Sequence, residues 1–272
     1  MPELPEVETV MRGLMPALEG KILVNVQQQS PALRVPFPPR FAKRLTGRTV
    51  TTLRRRAKYI LADLDDGETL IIHLGMTGRM LISAGCGAPR PGKHDHVVFT
   101  TDTAQVIFHD PRRFGLMMLV RTDQLVGHPL FAGLGPEPLE RSFTPKVLAA
   151  ALKNKKTPLK AALLDQRVVA GLGNIYVSEA LFEAHLRPER LAGTVADCAP
   201  LTAAIKKVLK AAIRAGGSTL RDYRHADGSL GYFQHAFKVY DRSGQPCLVC
   251  GTPIRRIVQS GRSSYFCPAC QK

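Results

Sequence analysis

The chain has 272 residues, of which 44% are apolar and 22% charged, a balance that excludes a disordered protein. Lysine and arginine outnumber aspartate and glutamate by 38 to 22, and this net charge of +16 suits a polyanionic partner, either nucleic acid or an acidic membrane surface. The longest uncharged apolar runs, such as FGLMMLV at 114–120, are too short to span a bilayer, and the acidic N-terminus lacks the apolar core of a signal peptide. We therefore expect a cytoplasmic protein.

The first ten residues, MPELPEVETV, place a proline directly after the initiator methionine and a glutamate directly after that. Removal of Met1 would give Pro2 a free secondary amine, and α-amino groups have a pKa of about 8, well below that of lysine. Such an amine can form an iminium with an aldehyde-level carbon, while a neighbouring carboxylate moves protons. An ordinary helix start with acidic residues also explains these ten residues, and taken alone they favour that interpretation.

The next features along the chain are one helix and a series of short strands. Residues 5–15 predict an amphipathic helix, because Val7, Val10, Met11 and Leu14 recur at helical spacing. Strand patterns then follow without intervening helices at 21–26, 49–64, 68–76, 79–83, 96–101, 104–110 and 114–120. This succession favours an antiparallel sandwich or barrel.

The second half of the chain is mainly helical. Residues 134–145 contain three prolines and predict a linker. Helical periodicity follows at about 145–154, 157–168, 174–185 and 199–215. Residues 216–237, polar and containing several glycines, predict a long mobile loop.

Several basic and aromatic clusters along the chain are ambiguous by themselves. A strand through LRRRAKYI would place Arg54, Arg56 and Lys58 on one face, suited to a phosphate backbone or simply solvated. Phe114 in HDPRRFG and Met76 after HLG fit either a core or a wedge between DNA bases. In the segment KHDH at 93–96, alternate strand positions would place His94 and His96 on one face without a third metal ligand, which predicts structural or phosphate-contacting histidines.

A glycine-rich turn and a lysine cluster occur among the predicted helices. In VVAGLGNIY, Asn174 is suited to cap the following helix, whose free N–H groups also suit a phosphate. The segment KNKKTPLK at 153–160 adds four lysines, which we expect to face the same polyanion.

Four of the six cysteines form two C-x-x-C pairs separated by 16 residues, namely Cys247, Cys250, Cys267 and Cys270. In a reducing compartment this spacing predicts one structural zinc ion in a closed tetrahedral site. Two redox dithiols would need a thioredoxin-like βαβ context, which the pattern lacks.

The motifs together resemble those of the bacterial formamidopyrimidine-DNA glycosylase family. PELPEVET, RRAKY, HLGMTG, KHDH, DPRRFG, LGPEPL, GLGNIY and the C-x-x-C pairs occur in the family's order over residues 2–271. The resemblance implies an α+β multidomain chain. It would consist of an N-terminal β-sandwich with its terminal helix (1–133), a helix–two-turn–helix domain (134–237) whose loop 217–237 closes over the lesion, and a zinc-finger hairpin (238–272).

The resemblance also implies an activity and the residues that perform it. The family removes oxidised purines from damaged double-stranded DNA by base flipping and then cuts the abasic strand. The matching positions are Pro2 as Schiff-base nucleophile, Glu3 and Lys58 as proton donors, and Arg262 for δ-elimination. The resemblance implies contacts with DNA for four residues, His94, Arg112, Lys156 and Asn174. It also implies that Met76, Arg112 and Phe114 fill the gap left by the flipped base. The expected assembly is a monomer that associates with the nucleoid through DNA.

Two alternatives remain open at this point. The sister endonuclease that removes oxidised pyrimidines uses the same N-terminal proline, although PELPEVET, the gap-filling residues and the 217–237 loop favour the purine enzyme. A zinc-finger DNA-binding protein without activity would have similar charge and motifs, and a retained Met1 would favour it. Asp241 stands where the family commonly has glycine, and we expect it to adopt the left-handed conformation.

Overall fold

The computed structural model describes residues 1–84, 91–218 and 232–272. Within the described residues the backbone divides into two compact units, Met1–Ala132 with Gly216–Tyr232, and Gly133–Ala215 with Phe233–Lys272. In this described part of the chain no helix is long and apolar enough to cross a membrane.

The first unit contains most of the strands. Its helices are α1 (Leu4–Leu18) and α2 (Phe41–Leu45), and a 3₁₀ turn spans Thr122–Gln124. Its described strands are β1 (Asn25–Gln28), β2 (Val50–Arg56), β3 (Tyr59–Leu64), β4 (Glu68–His73), β5 (Arg79–Ala84), β6 (Asp95–Thr100), β7 (Ala104–His109) and β8 (Leu116–Arg121).

These strands form two four-stranded antiparallel sheets, in the orders β1-β6-β7-β5 and β2-β3-β4-β8. Apolar side chains from both sheets and from the inner stripe of α1 share one core, which includes Val10, Leu14, Ile60, Ile72, Phe99 and Phe108. Burial of this shared surface stabilises the pair of sheets with the helix across them. The predicted sandwich with its terminal helix is confirmed.

Most of the predicted strand segments differ from the structure by one to three residues at an end, and two differ more. The first strand begins at Asn25 rather than Lys21, because the residues before it bond instead to the chain ahead of β2, where Leu23 N–H donates to Arg48 O at 2.9 Å. The single segment predicted at 49–64 is a hairpin, since β2 ends at Arg56 and β3 begins at Tyr59.

The second unit contains four helices and a two-stranded hairpin among its described residues. The helices are α3 (Pro145–Leu152), α4 (Leu159–Leu164), α5 (Asn174–Glu183) and α6 (Ala199–Arg214), with 3₁₀ turns at Ala192–Thr194 and Phe233–Ala236. Strands β9 (Arg255–Gln259) and β10 (Arg262–Phe266) pair antiparallel across a turn at 260–261. All four predicted helices are present, each ending earlier than the periodicity indicates.

The predicted linker 134–145 begins next to the boundary between the two units, but it is an ordered part of the second unit. Phe143 is fully buried, and the backbone hydrogen-bonds to the chain before α5 through Gly135 N–H to Gln166 O at 2.8 Å and Ala170 N–H to Pro136 O at 3.1 Å. Prolines lack an N–H donor but keep their carbonyl acceptors, so a proline-rich segment can pack as an ordered strap.

The segment that leads into the hairpin is anchored to α5 by one buried carboxylate. Glu179 accepts hydrogen bonds from three consecutive backbone N–H groups, those of residues 238–240, at 2.8–3.0 Å. Just beyond this anchor, Asp241 adopts the left-handed conformation with φ of 59°, as expected for the position where the family commonly has glycine.

Candidate active site

The N-terminal dipeptide Pro2–Glu3 lies buried at the start of α1. Glu3 occupies the N-cap position, and its backbone N–H donates to the Glu6 carboxylate at 2.9 Å. A carboxylate three residues into a helix that reaches back to the N-cap is half of a capping box, so this geometry follows from the spacing in PELPEVET. The arrangement fixes the backbone beside Pro2.

Glu6 itself is a residue that the sequence analysis missed. Its side chain is 2% exposed, and its second oxygen accepts from the backbone N–H and the hydroxyl of Ser218 at 2.8 and 3.0 Å. Glu6 therefore joins the start of α1 to residue 218. The capping-box spacing could have identified it. Most of the loop predicted at 217–237 (residues 219–231) lies outside the described residues.

Lys58 occupies the turn of the β2–β3 hairpin, so the prediction that Arg54, Arg56 and Lys58 share one strand face is wrong. The strand is interrupted because Ala57 is left-handed, with φ of 52°, a conformation that alanine seldom adopts and the sequence therefore did not indicate. Lys58 is 6% exposed. Its turn is tied to α1 by Arg55, which donates to Glu8 at 2.8 Å and to the carbonyl of Ala57 at 2.9 Å.

His73, at the end of β4, has a pKa that is lowered by its surroundings. Its pKa is lowered from 6.5 to about 4, first by burial and then by the positive charges of Lys58, Arg34 and the chain's terminal amine. Its Nδ1 accepts the backbone N–H of Gly75 at 3.1 Å, and its ring lies 4.9 Å from that of Tyr59. A neutral histidine therefore lies within the field of several cations, on the side of the unit that contains Lys58.

Two exposed turns of the first unit hold the predicted gap-filling residues. Met76 is 45% exposed in the turn between β4 and β5, and Phe114 is 42% exposed between β7 and β8. The Arg112 guanidinium lies over the Phe114 ring, 4.4 Å from its centroid. Neither apolar side chain belongs to the core, which removes the core interpretation that the sequence left open.

The two histidines of KHDH have different environments, and their predicted placement on one strand face is wrong. His94 precedes β6, is half-buried and packs edge-on against His109. His96 is 1% exposed and bonds to Ser30 Oγ at 3.1 Å and to the Asp110 carbonyl at 2.8 Å. A register shift between Asp95 and Val97 separates their orientations. His96 is structural, and His94 stays a predicted phosphate contact.

In the second unit, Lys156 is exposed as predicted, but Lys160 is not on a polyanion-facing surface. Lys160 is 1% exposed, and its ammonium donates to Ser263 O at 2.6 Å and Ser264 Oγ at 2.8 Å. Lys160 lies on the face of α4 that is turned towards the hairpin, and this explains why it is buried while Lys156 is exposed. Nothing in the lysine-rich segment distinguishes it from its exposed neighbours.

Asn174 is the first residue of α5 rather than its cap, which is Gly173. Its side chain is instead directed to the hairpin, where Nδ2 donates to Ser263 O at 3.0 Å. Arg262, next to that carbonyl, is exposed at the first position of β10. The start of α5 and the hairpin residue Arg262 are therefore held together within this unit.

The four C-x-x-C cysteines form one cluster, with all sulfur atoms within 4.8 Å of one another. The Sγ atoms of Cys247 and Cys270 are 3.9 Å apart, and those of Cys250 and Cys267 are 3.5 Å apart. Four thiolates at 2.3 Å from one zinc ion would be separated by about 3.8 Å in a tetrahedron. The donor set and its spacing fit one structural zinc ion, so the predicted zinc site is confirmed.

Comparison with known families assigns all three parts of the chain. Residues 1–117 match the model of the formamidopyrimidine-DNA glycosylase N-terminal domain, and residues 134–224 that of its H2TH domain. Residues 244–272 match the zinc finger found in FPG and IleRS.

Individual relatives agree over the full length. The formamidopyrimidine-DNA glycosylase of Cereibacter sphaeroides is 57% identical, with 100% of both chains covered. The MutM (Fpg) protein of Thermus thermophilus has a TM-score of 0.88 at 42% identity, over 99% of this chain and 98% of that one. The Lactococcus lactis Fpg has been solved with DNA containing Fapy-dG, as a mutant, and with DNA containing an oxidised pyrimidine. Each complex gives a TM-score of 0.90 at 37% identity and 100% coverage of both chains. The chain belongs to the formamidopyrimidine-DNA glycosylase family and is a DNA glycosylase of base excision repair.

Proposed function

We propose that this enzyme removes oxidised purines, namely 8-oxoguanine and formamidopyrimidines, from double-stranded DNA, and then cuts the strand by β,δ-elimination. The observation that carries the proposal is the buried pair Pro2 and Glu3 at the start of α1. Arg55 ties the same helix to the turn that holds Lys58. A nucleophile and two proton-transfer groups therefore belong to one packed unit.

The chemistry begins at the Pro2 nitrogen once Met1 has been removed. The nitrogen attacks C1′ of the damaged nucleotide, the glycosidic bond breaks, and the base departs with a proton supplied through Glu3. Opening of the sugar ring gives a cationic iminium between Pro2 and C1′. A secondary amine reaches this state directly, since it has a single proton to lose.

The iminium acidifies the 2′ protons, and this drives strand cleavage. Loss of a 2′ proton expels the 3′ phosphate as the C3′–O bond breaks, and Lys58 is the proton donor in this β-elimination. The δ-elimination then breaks the C5′–O bond. Guanidinium is a poor proton donor because it holds its protons too tightly to release them near neutral pH, so Arg262 acts by binding the departing phosphate. Its exposure on β10 suits that role.

Contacts with DNA come from both units. His94, Arg112, Lys156 and Asn174 bind backbone phosphates, and the basic charge of the chain supports this assignment. Met76, Arg112 and Phe114 fill the gap left when the damaged base is extruded. The exposure of Met76 and Phe114 supports this role, because both large apolar side chains protrude near Arg112 instead of joining the core.

The organisation that accompanies this function is a monomer in the cytoplasm, associated with the nucleoid through DNA. Its domains are the sandwich at 1–133, the helix–two-turn–helix domain at 134–237 with the lesion-capping loop 217–237, and the zinc finger at 238–272. The family models, which match 1–117, 134–224 and 244–272, support boundaries near these positions.

The test is borohydride trapping on matched duplexes that contain either 8-oxoguanine or an oxidised pyrimidine. We expect faster trapping and excision with 8-oxoguanine. The pyrimidine arm is informative because the L. lactis protein has been solved with such DNA. An equal or faster reaction with the oxidised pyrimidine would instead indicate the activity of the sister endonuclease, which removes oxidised pyrimidines. Absence of trapping with either duplex would favour a non-catalytic DNA-binding protein.

A matched variant separates base removal from strand cutting. Glu3→Gln keeps the side-chain size but cannot supply a proton. We expect it to lose excision of 8-oxoguanine while retaining most cutting of a pre-formed abasic site. Equal losses on both substrates would contradict the role given to Glu3.

A further inference from the structure

Asp110, at the end of β7, is a fully buried carboxylate that the proposed reaction does not use. Both of its oxygens are engaged. Oδ1 accepts from the Thr77 hydroxyl at 2.6 Å and from the backbone N–H of Arg112 at 3.3 Å, and Oδ2 accepts from the backbone N–H of Gly115 at 2.8 Å. Thr77 follows Met76 in the chain, and Gly115 follows Phe114. One carboxylate therefore holds both exposed turns.

The backbone of Asp110 extends this set of contacts. Its N–H donates to His94 O at 2.9 Å, and its carbonyl accepts from Arg113 N–H at 3.2 Å and from His96 Nε2 at 2.8 Å. Arg113 is left-handed, with φ of 55°, a conformation that non-glycine residues adopt only where the surroundings enforce it. The turn that follows β7 is therefore closely constrained at its base, while its tip at 111–114 is exposed.

The two turns also touch directly. A Cβ atom added at Gly75 would lie 2.4 Å from the carbonyl carbon of Phe114, and Gly75 has a φ of 64°. A Cβ at Gly115 would lie 3.1 Å from the Asp110 carboxylate and 2.5 Å from the Phe108 ring. No side chain fits between the turns, so a movement of one displaces the other.

We propose that Asp110 is the positioning residue that keeps the two turns in register, so that Met76 enters the duplex together with Arg112 and Phe114. This inference rests on the gap-filling role proposed above. Two wedges on separate loops would each have to be ordered as they enter DNA, whereas a shared buried carboxylate orders both before binding. The short O–H···O⁻ bond from Thr77 is the link that couples the Met76 turn to Asp110, and such charge-assisted bonds are strong.

The link can be cut at Thr77, which is half-buried, without removing the buried carboxylate itself. Thr77→Val keeps the side-chain shape and deletes the hydroxyl, and Thr77→Ser keeps the hydroxyl and serves as the matched control. The assay uses duplex DNA in which the fluorescent base 2-aminopurine is placed beside 8-oxoguanine. The fluorescence of 2-aminopurine rises when its stacking on the neighbouring base is lost. Excision of 8-oxoguanine, cutting of a pre-formed abasic site and thermal unfolding are measured in parallel.

Loss of a hydrogen bond to a charged group changes an equilibrium constant by about 10- to 100-fold. We expect Thr77→Val to slow the fluorescence rise and the excision by a common factor in this range, with a smaller effect on the abasic site, where no base pair must be opened. Thr77→Ser should behave like the unaltered protein. If Thr77→Val matches the unaltered protein, or if Thr77→Val and Thr77→Ser lose function equally, the role of Asp110 is overturned.

Phe114→Ala, tested beside them, distinguishes this inference from the function on which it rests. Loss of the fluorescence rise in Phe114→Ala with a normal Thr77→Val overturns only the coupling through Asp110. A normal rise and normal excision in Phe114→Ala would overturn the gap-filling role, and the inference with it.

Discussion

Replacing Phe114 by alanine separates a DNA wedge from a core residue. Truncation of a fully buried phenylalanine costs about 3–5 kcal/mol of unfolding free energy. Phe114 is 42% exposed, and complete burial of such a side chain contributes about 1.5–3 kcal/mol, so its partial burial corresponds to about 1–2 kcal/mol. Its contact with the Arg112 guanidinium adds no more than about 1 kcal/mol at an exposed site. We therefore expect a total loss of about 1–3 kcal/mol.

The measurement is urea unfolding followed by single-turnover excision of 8-oxoguanine. Phe108→Ala is the matched control, since Phe108 is fully buried in the same unit and should lose about 3–5 kcal/mol. Opening a base step costs a few kcal/mol, so loss of the wedge should slow excision by at least about tenfold. A Phe114→Ala protein that loses as much stability as Phe108→Ala, yet excises normally per folded molecule, would refute the reasoning.

Three further predictions concern the zinc site, the phosphate contacts and His73. Metal analysis should find one zinc ion per chain, and Cys247→Ser should weaken DNA binding without unfolding the sandwich; active protein without zinc would contradict this. Affinity for undamaged duplex should fall steeply with salt, and Lys156→Ala should reduce the slope of log K against log salt by about one, whereas an unchanged slope would remove Lys156 from the phosphate contacts. Because the pKa of His73 is depressed to about 4, its contribution to stability is complete above pH 6.5 and is lost as the pH falls towards 4. Acidification over this interval should cost up to about 3 kcal/mol, and His73→Gln should lack this component in urea unfolding; an identical pH dependence in the variant would contradict the assignment.

The sequence predicted those features that depend on local pattern. Short strand-like segments separated by glycine, aspartate or proline indicated the strands of the sandwich, and helical periodicity indicated α1 and the four helices of the second unit. Paired cysteines predicted the zinc cluster, because four thiolates at that spacing have few other uses. Each of these signals is carried by neighbouring residues and is visible before any tertiary contact forms.

Features that depend on tertiary contact were missed or wrong. The Lys58 turn lacks the glycine or asparagine that marks a tight hairpin, and Ala57 is held left-handed by its surroundings. Lys160 looks like its exposed neighbours but is buried against the carbonyl and hydroxyl of the hairpin. The carboxylates of Glu6 and Asp110 are buried with partners that lie far away in the chain, the backbone N–H of Ser218 for Glu6 and the hydroxyl of Thr77 for Asp110. Burial of a charge is decided by partners that sequence spacing does not reveal.

The identity of the nucleophile is the central claim, and it can be tested at the N-terminus itself. Mass spectrometry should show the mature protein without Met1, so that Pro2 carries the free amine. Borohydride should then fix this protein covalently to DNA containing 8-oxoguanine, and Pro2→Gly should retain some trapping because it also offers a terminal amine.

The decisive comparison is with a protein that keeps one extra residue ahead of Pro2, which converts the proline nitrogen into an amide. We predict that this extended protein binds lesion-containing duplex but forms no trapped complex with it. If it is trapped as efficiently as the processed protein, the nucleophile is a lysine rather than Pro2, and Lys58 is the first residue to test.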